Sequence, residues 1–297
     1  MLKRTIFFSS PVRLSLQNQQ MLVRPKTGGE VTIPIEDVGY TVLEHQEVSA
    51  TLPLLNALVE NNVAVVLCDQ KHMPSSMLLN LDGHSVQQEV FSFQINAPLP
   101  LKKSMWKQTV EAKIKNQAGL LKKLGLENQD LLKLSQYVKS GDSTNREGAA
   151  ARIYWSRLFG KNFIRDRNGK RPNMLLNYGY IVLRAAVARA LAGSGLLATL
   201  GIFHKNRYNS FCLADDVMEP YRPFVDEIVY RIFLMDTTID SIQKDHKRQL
   251  LEVLTEDVMM GKNKRPLMVA LSQTTASMVR CFAKTSQKII YPSLPRA

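Results

Sequence analysis

Apolar and polar positions alternate along the first third of the chain in the way half-buried strands require. Val12-Arg13-Leu14-Ser15-Leu16 has period two, and Met21-Leu22-Val23-Arg24 follows after the turn residues Gln17-Asn18-Gln19-Gln20, so the pair predicts a hairpin. Gly28-Gly29 leads into Val31-Thr32-Ile33-Pro34-Ile35, where Pro34 favours an edge strand. Tyr40–Leu43 is a further strand. Thr51 is placed to cap a short helix carrying Leu54, Leu55, Leu58 and Val59 on one side, and Val63–Leu67 reads as a strand buried on both faces. Nothing in this third has catalytic spacing, and His45, His72 and His84 read as surface or packing residues.

Pro98 and Pro100, before Leu101-Lys102-Lys103, mark a composition shift, and everything beyond reads as helix. Helices are expected from Ser104 to about Leu124, over Leu131–Val138 behind an Asn128 cap, and from Ser143 through Ala149-Ala150-Ala151. Others are expected over Asn173–Ala192, Asp215–Met235, Thr237–Thr255 and Pro266–Ser286. The fold class that follows is α+β in two domains: a small β-rich domain over 1–97 and a larger all-α domain over 98–297. The most apolar stretch, Leu175–Phe203, is interrupted by Arg184 and Arg189, so it reads as a buried helix rather than a membrane span. The basic start Lys3-Arg4 precedes too short an apolar run for a signal peptide. Cys68, Cys212 and Cys281 are odd in number and far apart, which argues against a disulfide framework and for a reducing, cytoplasmic setting.

Charge adds a division of labour. The formal net charge is +13, yet residues 1–100 hold 6 Lys+Arg and 9 Asp+Glu, a net of −3, which leaves +16 on the helical part. A near-neutral domain is thus joined to one suited to a polyanion. The run Lys161, Arg165, Arg167, Lys170 and Arg171 and the smaller cluster Lys262, Lys264 and Arg265 are candidate phosphate contacts.

Three places in the basic domain offer chemistry. Glu147 is followed by Gly148 and three alanines, small neighbours that let another group approach closely. His204 ends a hydrophobic run at a polar, basic turn. Asp216 and Glu219 fall three apart in Asp215-Asp216-Val217-Met218-Glu219-Pro220-Tyr221-Arg222-Pro223, so on a continuous helix they share a face. One imidazole with two or three carboxylates suits Mg²⁺ or Mn²⁺ better than a thiolate-seeking metal. A divalent ion in a strongly basic domain points to phosphodiester chemistry.

These segments resemble the CRISPR-associated integrase family that captures new spacers (CRISPR-associated protein one), most closely its type II branch. The resemblance rests on Glu147–Trp155, His204 and Asp216–Pro223, with weaker matches at Arg4–Phe7, Ile33–Val38 and Asn61–Val66. It implies metal ligation by Glu147, His204 and Glu219, with Asp216 a further acid lining the site. Many family members carry Asp where this chain has Glu219, so which of Glu219 and Asp216 is the closer ligand stays open. The implied reaction is transesterification: a 3′-hydroxyl of a short duplex, the prespacer, attacks a phosphodiester at the edge of a CRISPR repeat. The implied partners are double-stranded DNA, a second copy of the chain, and a dimer of CRISPR-associated protein two. The type II effector nuclease and an accessory DNA-end-binding protein stand further out, and no membrane is involved. Two other readings compete: a structure-selective, metal-dependent nuclease on branched DNA, and a non-catalytic DNA-binding scaffold.

Overall fold

The structure, a computed structural model, describes residues 3–236 and 239–294. It divides into two compact units between Ser85 and Val86. The first unit contains β1 (Arg4–Phe8), β2 (Val12–Gln17), β3 (Gln20–Pro25), β4 (Val31–Pro34), β5 (Val38–Leu43), β6 (Ser49–Ala50), α1 (Leu52–Glu60), β7 (Ala64–Cys68) and β8 (Pro74–Leu78). Two four-stranded sheets result, in the orders β1-β5-β7-β8 and β4-β3-β2-β6. The β2–β3 hairpin turns through Asn18 and Gln19, both at positive φ, as a tight two-residue turn demands. Pro34 ends β4 at a sheet edge, where its missing N–H costs no ladder bond. β7 runs between β5 and β8, and its Ala64, Val65 and Val66 are buried, as a strand covered on both faces should be. Leu54 and Leu58 of α1 close the core with Val12, Leu14, Met21, Val38 and Val65. Three strands escaped the alternation pattern: β1, which opens on the polar pair Arg4-Thr5, β6, which is only two residues long, and β8, which carries two serines.

The second unit begins with α2 (Gln87–Ile95), so the boundary lies twelve residues before the expected one at residue 97. The reason is Gln94, which is buried: its Nε2 donates to the carbonyls of Leu197 and Leu200, and its Oε1 accepts from Leu197 N. There follow α3 (Leu99–Lys123), α4 (Gln129–Gln136), α5 (Arg146–Phe159), α6 (Asn173–Ala192), α7 (Cys212–Met218), α8 (Arg222–Met235) and α9 (Lys244–Leu251). A hairpin of β9 (Asp257–Met260) and β10 (Asn263–Pro266) then precedes α10 (Leu267–Phe282). The unit is therefore not all helix, as the apolar pattern suggested. The helix expected from Thr237 starts at Lys244; Thr237 and Thr238 lie outside the described residues. Among those residues α6 alone is long and apolar enough to cross a membrane, but 14 of its 20 residues are buried, which makes it a core helix.

The stretch expected as one helix over Asp215–Met235 is broken. Pro220 and Pro223 cannot donate the backbone bonds a continuous helix needs, and Glu219–Tyr221 tightens into a 3₁₀ turn between α7 and α8. Asn116 of α3 donates to the Pro220 carbonyl at 2.7 Å and so anchors the turn. This break aims Asp216 and Glu219 at different partners.

Candidate active site

Four segments of the helical unit build the site: α3, the start of α5, the loop before α7, and the α7–α8 turn. Glu147 lies in the first turn of α5. The free N–H groups there are satisfied by Asp142, whose two carboxylate oxygens accept from Arg146 N (2.8 Å) and Glu147 N (3.0 Å), and by Asn145, whose Oδ1 accepts from Gly148 N (3.0 Å). A Cβ on Gly148 would stand 2.7 Å from that Oδ1, so the small residue beside Glu147 makes room for the cap. The helix N-terminus itself also favours a carboxylate at Glu147.

His204 is held by Asp216, which is fully buried. Asp216 Oδ2 accepts from Ile202 N (2.7 Å) and Phe203 N (3.0 Å), while Oδ1 accepts from His204 N (3.2 Å) and meets His204 Nδ1 at 2.5 Å. The loop wraps its carboxylate so closely that a Cβ on Gly201 would lie 2.4 Å from the His204 carbonyl and 2.8 Å from Asp216 Oδ2. Trp106 of α3 supports the loop from behind: it stacks on Phe203 at 4.2 Å and meets the His204 ring edge-on. With Nδ1 carrying the proton shared with Asp216, the lone pair of the imidazole is on Nε2. The Asp216 bond raises the His204 pKa above the ordinary value, against the pull of burial, and Glu219 adds to the rise.

Glu219 is buried and sits between two cations. Arg222 Nη2 is 2.9 Å from Oε1, and Lys113 Nζ is 2.5 Å from Oε2. The same Nζ donates to Glu147 Oε1 at 2.6 Å. Burial raises the Glu219 pKa, but Arg222 and Lys113 outweigh it and hold the carboxyl below its usual range. Burial likewise depresses Lys113, and Glu219 and Glu147 overcome it, so the ammonium titrates above the ordinary lysine. Beside this pair lies a cavity of ≈180 Å³, lined among others by Lys113, Gln117, Trp155, Arg165, Arg222 and Asp226. Asp226 at its floor accepts from the Tyr154 hydroxyl (2.7 Å) and the Tyr180 hydroxyl (2.5 Å). Burial pushes the Asp226 carboxyl up to about 6, with both hydroxyl donors pulling the other way.

The structure thus brings Glu147 and Glu219 to one point and corrects the ligand set in two respects. Asp216 does not line a metal position, because all its acceptor capacity goes to His204 and its loop. Nor do the three other candidate ligands close around a common point: among the described residues no three His, Cys, Asp or Glu side chains lie close enough to share a metal ion. The Lys113 ammonium fills the gap between the two glutamates. The donor set nevertheless fits a hard divalent cation, since it offers an oriented imidazole and two carboxylates, one of which has a buried oxygen, Glu219 Oε2, already met by a cation.

The family model described as CRISPR associated protein Cas1 matches residues 6–259. The CRISPR-associated endonuclease Cas1 of Neisseria meningitidis serogroup C (strain 8013) is 35% identical over 276 residues, which covers 92% of this chain and 90% of the relative. The chain belongs to the Cas1 family. Solved structures agree on the fold of this Cas1 chain. A casposase bound to integration product superposes with a TM-score of 0.79 at 17% identity, over 98% of this chain and 93% of that one. A chain of a Cas6-RT-Cas1–Cas2 complex does so with a TM-score of 0.74 at 19% identity, over 99% of this chain and 36% of that one. Membership makes it a CRISPR-associated enzyme of nuclease type.

Within this Cas1 fold the basic candidates separate. Lys161, Arg167, Lys170, Lys262, Lys264 and Arg265 are exposed, the last three on the β9–β10 hairpin. Arg165 and Arg171 are not free phosphate contacts. Arg165 donates to Asn173 Oδ1 (3.1 Å) and Asn177 Oδ1 (2.7 Å), and Arg171 donates to the Phe233 carbonyl while covering the Phe233 ring at 4.1 Å. Their charges brace the α5–α6 connection. Sequence reasoning missed Lys113, Asp142, Trp106 and Arg222. The last lies inside the Asp216–Pro223 motif, and its spacing of three from Glu219 was available as a pairing signal.

Proposed function

We propose that this Cas1-family chain is a metal-dependent DNA integrase that joins the 3′-hydroxyl of a short duplex to a phosphodiester at the edge of a CRISPR repeat, in a type II system. The observation that carries the reading is the meeting of Glu147 and Glu219 at one cation beside an imidazole fixed by Asp216. Glu147, His204 and Glu219 would hold a Mg²⁺ or Mn²⁺ ion. When bound, such an ion polarises a phosphoryl oxygen and favours the charge that develops in displacement. The attacking oxygen comes from DNA, so no serine or cysteine nucleophile is needed, and the protein's task is placement and charge. Asp216 keeps the proton on Nδ1 of His204 and leaves Nε2 as the ligating atom. Arg222 holds Glu219 ionised in its buried position. Lys161, Arg167 and Lys170, with the hairpin residues Lys262, Lys264 and Arg265, would contact duplex phosphates without reading sequence.

The fold shared with a casposase bound to integration product supports joining over simple cleavage. The fold shared with a Cas6-RT-Cas1–Cas2 complex supports assembly with a Cas2 dimer. The first unit, with its acidic excess, is assigned to homodimerisation and docking rather than to DNA; the effector nuclease and a DNA-end-binding protein would act on the assembled complex. The test is strand transfer of a 3′-hydroxyl duplex into a repeat-bearing plasmid, with Mg²⁺ or Mn²⁺ against chelator. Glu147→Ala, His204→Ala and Glu219→Ala should each abolish joining. Hydrolysis without joining would favour the branched-DNA nuclease, and salt-dependent binding indifferent to chelator, with no strand chemistry, would favour the scaffold.

A further inference from the structure

Lys113 projects from the middle of α3 into the gap between two acids supplied by other elements, Glu147 from α5 and Glu219 from the α7–α8 turn. Its Nζ is 2.6 Å from one carboxylate and 2.5 Å from the other, and its side chain is only 12% exposed. We propose that the Lys113 ammonium is a resident counter-cation that keeps the two glutamates together in the metal-free protein and that a divalent ion must displace to bind. The inference rests on the metal reading above and adds to it a competition inside the site.

Three observations carry it. First, the gap is single: oxygen ligands approach Mg²⁺ at about 2.0–2.1 Å, so an ion between these oxygens and an ammonium at its present position exclude one another. Second, without Lys113 the two carboxylates would share the gap with only Arg222, on Glu219 Oε1, to offset their repulsion, which is costly. Lys113 therefore lets the site fold before metal arrives. Third, a displaced ammonium has somewhere to go. Gln117 lies one helical turn further along α3, on the same face and lining the same ≈180 Å³ cavity as Lys113. Gln117 is buried, and its Oε1 has no hydrogen-bond partner. The ammonium can thus leave the glutamates for the cavity and keep an acceptor, without being stranded in an apolar interior.

The experiment uses the full chain and Mn²⁺ itself. Calorimetric titration of chelator-treated protein should show Lys113→Met binding Mn²⁺ at least roughly tenfold more tightly than the parent, because a competing unit charge at contact distance is gone. In chelator the variant should melt below the parent, and saturating Mn²⁺ should close that gap. A second measurement needs no variant: acylation of the parent followed by mass spectrometry should find Lys113 several-fold more reactive with Mn²⁺ than with chelator. Equal or weaker Mn²⁺ affinity in a folded Lys113→Met protein would overturn the proposal, as would unchanged Lys113 reactivity in a parent that binds Mn²⁺. A parent that takes up no Mn²⁺ would instead overturn the metal reading, and the displacement with it, while the melting difference in chelator would still report the counter-cation role.

Discussion

Replacing Asp216 by asparagine changes one oxygen for an NH₂ group at the point where four hydrogen bonds converge. The amide oxygen can keep the pair from Ile202 N and Phe203 N, now 2.7 and 3.0 Å from Oδ2. The amide nitrogen then faces His204 N–H and Nδ1, which were 3.2 and 2.5 Å from Oδ1. A donor opposite a backbone donor leaves that N–H unsatisfied in a buried place, and the charge-assisted bond to the imidazole is lost. Each of these costs about 1–3 kcal/mol, so the total should be about 2–6 kcal/mol. For a unit of this size, at about 2–4 °C per kcal/mol, that corresponds to a fall in Tm of about 4–24 °C. The larger effect is chemical. The imidazole can accept from the amide only through Nδ1, so its proton moves to Nε2 and the lone pair proposed to hold the metal is lost. Strand transfer should fall between about 10-fold, the lower end of the usual cost of removing a ligand's hydrogen-bond partner, and about 10⁴-fold, the cost of a wrong tautomer. Nitrogen-15 NMR of the imidazole in the metal-free chain reads the tautomer directly, and thermal unfolding reads the fold. If the variant keeps the proton on Nδ1, or transfers strands within twofold of the parent, the role assigned to Asp216 is wrong.

Gly201→Ala presses a methyl group against the His204 carbonyl and Asp216 from the other side. It should lower stability by about 1–3 kcal/mol in thermal unfolding and depress strand transfer in parallel with the asparagine variant. Asp226 gives a pH signature: its folded pKa, about 6, lies above the ordinary 3.8, so the folded chain binds the proton more tightly than the unfolded one. Its contribution is full below about pH 4, is lost as pH rises through about 6, and amounts to about 3 kcal/mol. Asp226→Asn, which mimics the protonated form, should therefore gain on the parent by up to that amount between pH 4 and pH 7, and a stability difference that ignores pH would refute the assignment. Finally, Lys161→Gln, Arg167→Gln and Lys170→Gln together should reduce the salt slope of duplex binding by roughly 2–3 with little change in Tm. Arg165→Gln, which breaks bonds to Asn173 and Asn177, should do the reverse.

Much of the fold was legible because local pattern and tertiary outcome agree. α6 has the residue limits its apolar period implies, and the β2–β3 hairpin turns where its polar residues stand. The failures have physical causes. α2 has few apolar positions and is held instead by one buried glutamine side chain, Gln94, which bonds a loop about a hundred residues away. The β9–β10 hairpin is short, and its outer strand is Asn-Lys-Arg-Pro, whose polarity hides any alternation. In the α7–α8 region the two prolines were visible, but tolerance of proline in a first helical turn concealed that they impose a 3₁₀ turn.

The site divides along the same line. Glu147, His204 and Glu219 carried chemical meaning one at a time because each sits in a motif of unusual neighbours. What the motif could not convey is which charge faces which, since that depends on residues far apart in the chain: Lys113 and Glu147 are separated by 34 positions, and Asn116 and the Pro220 carbonyl by 104. α3 supplies every one of these cross-links, and none of its site residues has a neighbourhood that marks it out from a solvated amphipathic helix. A lysine at an i, i+4 spacing from a glutamine reads as surface. Packing against α5 and the α7–α8 turn buries it, and burial turns an ordinary ammonium into the partner of two carboxylates. The acids of this site, with Arg222 beside Glu219, are therefore a property of the sequence motif, whereas the ammonium that bridges Glu147 and Glu219 is a property of α3.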